Sequence, residues 1–178
     1  MRGYFSVLLC YAALAIAQGQ SATPAKIQTA DLVGAWRLVK IETVRPNGEI
    51  IYPFYGKHPE GLIMYDASGW MSVQIVSDPK PSVPKADGRG DFLNAPAAEK
   101  AAAADGYYAY CGTWSFDSAA QKVTHHLKDS LYPGERGINF VRSVTLEGNR
   151  LTLVAPTHEM GEDHQRVLVW ERAEKQPM

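Results

Sequence analysis

Cysteine is close to absent from this chain, with Cys10 and Cys111 its only two. A disulfide-stapled scaffold is therefore excluded, and no paired-cysteine motif marks a zinc or redox site. Charge of one sign is missing too. The 18 basic residues stand against 19 acidic ones, a net charge of -1, so no field draws a polyanion and nucleic acid is not an expected partner. No apolar run reaches the roughly 20 residues that span a bilayer. Neither a nucleophile elbow nor a phosphate loop occurs.

What apolar run there is lies at the start. Arg2 precedes Phe5 to Ile16, and Ala15-Ile16-Ala17 offers the small-x-small pattern of signal peptidase. Residues 1–17 read as a signal peptide cut after Ala17, which predicts a periplasmic or secreted protein with no stable membrane anchor. Leu9 is too bulky for lipoprotein processing at Cys10. Cleavage removes Cys10, so the mature chain has Cys111 alone and no intramolecular disulfide. A polar linker follows over 18–30 (Gln18 to Thr29 by composition), then one domain over 31–173 and a short tail, 174–178. Roughly 150 residues bury about two-thirds of their unfolded surface without staples.

Within that domain the dominant period is two, the alternation of a half-buried strand. It predicts strands over Trp36 to Val44, Ile50 to Tyr52, Leu62 to Tyr65, Trp70 to Val76, Tyr107 to Phe116, Lys122 to Leu127, Ile138 to Leu146, Arg150 to Val154 and Val167 to Glu171. Turn residues separate them, Pro46-Asn47-Gly48-Glu49 and Asp66-Ala67-Ser68-Gly69 among them. Connections this short cannot carry parallel crossovers, so the sheet is antiparallel. One helix is predicted from Asn94 or Ala95 through Ala104, ended by Gly106, as a flap across one barrel end. The loop Asp78 to Phe92 precedes it. Closure into a barrel of about 8–10 strands and packing as a sandwich both satisfy the alternation.

Gly34-Ala35-Trp36-Arg37-Leu38-Val39, Pro46-Asn47-Gly48, Gly61-Leu62-Ile63-Met64-Tyr65, Gly69-Trp70-Met71-Ser72, Asp105-Gly106-Tyr107-Tyr108-Ala109-Tyr110-Cys111-Gly112-Thr113-Trp114, Val123-Thr124-His125-His126 and Val169-Trp170-Glu171-Arg172 occur in this order. Together they resemble the lipocalin-like domain family of bacteria and fungi over Asp31 to Arg172. The resemblance implies an all-β, single antiparallel calycin-type barrel. It also implies that Trp36 closes the barrel floor beneath a basic side chain of the last strand, Arg172 or Arg166.

Side-chain parity then names candidate site residues. His125 shares a face with Val123 and Leu127 and points into the lumen, while His126 points out. Arg142 interrupts the inward row Ile138, Phe140, Val144, Leu146. It calls for an acidic ligand or for an internal acid such as Glu42 or Glu171. Tyr108, Tyr110, Trp114 and Phe116 form an aromatic row suited to an apolar pocket with polar tips. The candidate ligand-binding set is His125, Arg142, Tyr108, Tyr110, Trp114 and Phe140, with Trp36 and Arg172 at the floor.

Two functions follow. One is an exported protein binding a small, mostly apolar or amphipathic molecule, acidic where Arg142 is its partner. The other is a barrel enzyme that isomerises or cyclises a polyketide-like molecule, with His125 as acid or base and Tyr108 and Tyr110 as hydrogen-bond donors. A lumenal histidine alone is thin support for haem, and no cofactor is expected. Nor is a metal: His158-Glu159-Met160-Gly161-Glu162 lacks the second histidine of a zinc-protease motif. Cys111, mid-strand beside Tyr110, reads as a small buried side chain.

Overall fold

The computed structural model describes residues 26–52, 54–80 and 88–175. The leader, the linker up to residue 25 and residues 176–178 of the tail lie outside the described residues. Nine strands form one antiparallel sheet: β1 (Gly34–Val44), β2 (Ile50–Ile51), β3 (Glu60–Tyr65), β4 (Trp70–Val76), β5 (Tyr107–Asp117), β6 (Lys122–Ser130), β7 (Asn139–Glu147), β8 (Arg150–Glu159) and β9 (Glu162–Arg172). After β1 and β3 each strand pairs with the next, and β9 returns to β1 from Trp36↔Arg172 to Val44↔Gln165. That pairing closes an eight-strand barrel, with β2 added at the end of β1, and excludes the sandwich.

Two bulges set which side chains enter the lumen. Between Leu38 and Lys40 the β1–β9 register slips by a residue, so the inward positions run Trp36, Leu38, Ile41, Thr43. Strict alternation would have turned Lys40 and Glu42 inward. The second bulge, between Cys111 and Gly112, falls beyond His125 on β6 and leaves its phase intact. Gly112 is fixed by space, since a Cβ there would sit 2.0 Å from the His126 carbonyl oxygen.

At the floor, α1 (Thr29–Leu32) is a single helical turn at the junction of linker and domain. The Asp31 carboxylate accepts the Gln28 N–H at 2.8 Å, and Leu32 is fully buried. The Trp36 indole N–H donates to the Leu32 carbonyl at 2.9 Å. Arg172 lies 4.0 Å above the Trp36 ring and donates to the Val33 and Asp31 carbonyls at 3.0 and 2.6 Å, satisfying the helix end. Gly34 has φ +131°, and a Cβ there would meet Arg172 Nη1 at 3.0 Å. The glycine of the Gly-x-Trp motif thus leaves room for the arginine that covers the tryptophan.

Several boundaries differ from the sequence reading. The predicted helix begins at Ala97 rather than at Asn94 or Ala95, as α3 (Ala97–Asp105), and the loop before it contains α2 (Arg89–Asn94). Neither helix has a buried residue, as expected of an alanine face with little to bury. The polar segment after Val154 continues as strand. Met160 (φ 55°) and Gly161 (φ 79°) make a two-residue turn that lets β8 and β9 pair up to Glu159↔Glu162. Ile138 precedes β7 and is 43% exposed rather than lumenal. Cys111 is exposed, because it occupies the outward phase between Tyr110 and Gly112.

Candidate functional site

The barrel is filled unevenly along its axis. Near the floor, Trp36, Leu38, Ile63, Trp114, Leu151 and Trp170 belong to a packed core. Toward the other end the inward side chains leave a cavity of about 650 Å³. Its walls include Ile41, Val73, Ile75 and Leu168 from the strands, and Tyr108, Tyr110, Phe140 and Arg142 from β5 and β7. Phe54, Tyr55, Tyr132 and Glu135 reach it from loops. That volume falls within the 300–1,000 Å³ typical of small-molecule sites.

His125 does not line this cavity. It is 0% exposed, in the layer between cavity and core. Tyr65 Oη lies 2.7 Å from Nε2 and Tyr110 Oη 2.8 Å from Nδ1. Burial, and then the Arg142 charge, push its pKa well below the ordinary 6.5, so the ring is neutral. Burial likewise raises the phenols of Tyr65 and Tyr110. With both ring nitrogens engaged, His125 offers none to a haem iron. Trp114 is also below the cavity: its ring packs 4.7 Å from that of Tyr65, and its indole N–H donates to the Asp66 carbonyl at 3.0 Å.

This burial has a pH signature. An unfolded histidine titrates near 6.5 and folded His125 well below it, so between those values the unfolded chain holds the extra proton. The contribution is fully present above pH ~6.5 and is lost as pH falls toward the folded value, at up to about 1.4 kcal/mol per pH unit. Urea unfolding at pH 7 and pH 5 should show this loss in the natural chain. His125→Gln, though less stable at pH 7, should show a flatter dependence; equal slopes would mean that His125 is not buried neutral.

The lumenal charges are unequally matched. Arg166 pairs with Glu159 and lies 5.3 Å over the Phe54 ring, at the opposite end from Trp36. Glu135 accepts hydroxyl hydrogen bonds from Tyr108 at 2.7 Å and Ser130 at 2.6 Å. Arg142 has no carboxylate partner among the described residues. Its guanidinium lies 5.1 Å over the Phe140 ring, with Nη1 3.4 Å from His125 Nδ1. The internal acids considered for it are elsewhere. The β1 bulge puts Glu42 out of phase with Ile41 and Thr43, and Lys40 takes it at 2.9 Å; Glu171 is held by Arg37 and Arg150.

Aromatic rings surround the opening. Tyr108 stacks on Tyr132 at 5.2 Å and packs 6.2 Å from Tyr55, and Phe140 meets Tyr110 edge-on at 5.8 Å. Sequence reasoning missed Tyr55, Tyr132 and Glu135, which come from loops without a period. It also passed over Tyr65, although parity with buried Ile63 would have turned that side chain inward.

Elsewhere, Ser115 Oγ lies 3.0 Å from His126 Nε2, and Asn139 Oδ1 lies 2.8 Å from His126 Nδ1. These are the distances of a nucleophile, base and orienter, but Ser115 and His126 lie outside the cavity, and of the three only Asn139 reaches its lining. At the β8–β9 tip, His158 pairs with Asp163 on one face while His164 is buried on the other, so the two cannot share an ion. Among the described residues no cluster of three or more His, Cys, Asp or Glu is arranged to hold a metal. No helix among them is long and apolar enough to cross a membrane.

Comparison with known proteins agrees with this architecture. A family model described as a lipocalin-like domain matches residues 33–173. No curated protein matches the chain.

Proposed function

The chain belongs to the lipocalin-like domain family, and we propose from that premise that it is exported and binds a small, mostly apolar, acidic molecule in the open half of its barrel. The observation that carries the reading is Arg142, a half-buried cation on the cavity wall without a carboxylate partner among the described residues, beside a neutral histidine. A half-buried guanidinium on an apolar wall gains from a counter-charge, and a bound acid supplies it. Ile41, Val73, Ile75 and Leu168 suit an apolar body, and the tyrosine rings suit a flat one.

The enzymatic alternative needs a proton-transfer group touching the bound molecule. His125 stands behind Tyr110, and burial makes Tyr108 and Tyr110 weaker acids than a free phenol. These groups are better suited to orienting a ligand than to exchanging protons with it.

Mass spectrometry of the protein recovered from the exported fraction of its own host tests both parts. Under denaturing conditions the chain should lack Met1 to Ala17; under native conditions it should carry a small molecule that is released as an anion. A retained leader would overturn cleavage after Ala17, and absence of the protein from the exported fraction would overturn export. An empty barrel, or a cargo without an acidic group, would overturn the ligand class.

A further inference from the structure

Tyr65, His125 and Tyr110 form a chain whose protons do not balance. A neutral imidazole has one N–H and one lone pair, and each phenol brings one O–H. Three protons therefore serve two links, Tyr65 to Nε2 and Tyr110 to Nδ1. In one arrangement Tyr110 donates to Nδ1 and the Nε2–H donates to Tyr65. The Tyr65 proton is then stranded, for Tyr65 is 1% exposed and its oxygen has no hydrogen-bond partner besides Nε2 among the described residues. In the reverse arrangement Tyr65 donates to Nε2 and the Nδ1–H donates to Tyr110. The spare proton is now that of Tyr110, which lines the cavity.

Avoiding a stranded buried donor favours the second arrangement. Arg142 favours the first: its Nη1 is donor-only, and at 3.4 Å it faces a lone pair on Nδ1 far better than an N–H. Tyr65, His125, Tyr110 and Arg142 by themselves cannot satisfy both demands. An acceptor-only anion can, by drawing the guanidinium to itself and accepting the freed Tyr110 proton. Arg142 Nη1 and Tyr110 Oη both lie within 3.4 Å of the same nitrogen, so the two donors are close enough for one carboxylate.

We propose that the cavity takes its cargo as a carboxylate held between Arg142 and Tyr110, with Tyr65 and His125 as positioning residues that turn the Tyr110 proton toward it. This rests on the reading of the cavity as a ligand site and adds the chemical class of the anchor. A neutral amide offers these donors only one uncharged carbonyl oxygen, and an alcohol has no charge for Arg142. Both are disfavoured.

Binding of 2-naphthoate and 2-naphthamide, followed by tryptophan quenching, separates the possibilities. The natural protein should prefer the carboxylate on the order of 100-fold, the scale of charge-assisted hydrogen bonds. Tyr110→Phe should lose about tenfold of that preference with amide affinity unchanged, since one hydrogen bond goes. Tyr65→Phe leaves Arg142 to hold the Nε2–H form and should do the same. Nitrogen-15 spectra of His125 give the reading that a merely structural role would not move: saturating naphthoate should shift the ring to the Nδ1–H tautomer, and naphthamide should not. Equal affinity for the two probes, or an Nε2–H ring in the naphthoate complex, overturns the clamp while leaving a ligand cavity. If neither probe binds, the cargo reading falls and the clamp with it.

Discussion

Trp36→Ala is expected to lower the unfolding free energy by about 3–5 kcal/mol, the range for truncating a fully buried aromatic side chain. The ring is 0% exposed, and its removal takes away more than packing. The indole N–H holds the Leu32 carbonyl, and the ring supports Arg172, which in turn holds the Asp31 and Val33 carbonyls. Without the tryptophan, α1 loses its seat and the floor opens to water. Trp70, 53% exposed on the outer face, is the matched control, and Trp70→Ala should cost less than about 1 kcal/mol. Urea unfolding of both variants decides it. Equal losses would mean that Trp36 does not close the barrel.

Arg142→Met should reduce 2-naphthoate affinity on the order of 100-fold while leaving stability unchanged or slightly raised. The two effects part because Arg142 has no carboxylate partner among the described residues, so its removal strands no charge. Arg166→Met should behave oppositely. It leaves the half-buried Glu159 carboxylate alone, at a cost of about 1–3 kcal/mol, because an unsatisfied polar group is the expensive outcome. Thermal unfolding and probe titration of the two variants should therefore give crossed results. An Arg142→Met protein that mainly unfolds would show that the guanidinium serves the fold rather than a ligand.

The difference between these arginines indicates where the sequence was legible. Alternation gave the faces of β5, of β6 from Val123 to Leu127 and of β7, because the one slip between β5 and β6 falls beyond Leu127 and leaves those positions in phase. That is why the inward phase of His125 and the outward phase of His126 were readable. The same rule failed on β1, where one bulged residue at Val39 turned Glu42 out of the lumen and removed it as a partner for Arg142. No composition signal marks such a bulge.

Depth was the second thing hidden. Parity assigns a side chain to the lumen but not to a height within it, so cavity-lining Tyr108 and Tyr110 looked equivalent to Trp114 and His125 in the layer beneath. The barrel's length is shared between a solid core and a hollow end, and only the packed volumes of all the strands together decide where one gives way to the other. Loop residues were the third. Tyr55, Tyr132 and Glu135 reach the cavity from segments without periodicity, and Tyr132 and Glu135 are placed by the short turn after β6, beyond any strand pattern.

In crystals of the protein grown with 2-naphthoate, the naphthyl ring should lie between Phe140 and the tyrosines, with its carboxylate within hydrogen-bond distance of both Arg142 and Tyr110. A ring lodged with its carboxylate against Arg166 at the mouth, or bound outside the barrel altogether, would contradict the clamp.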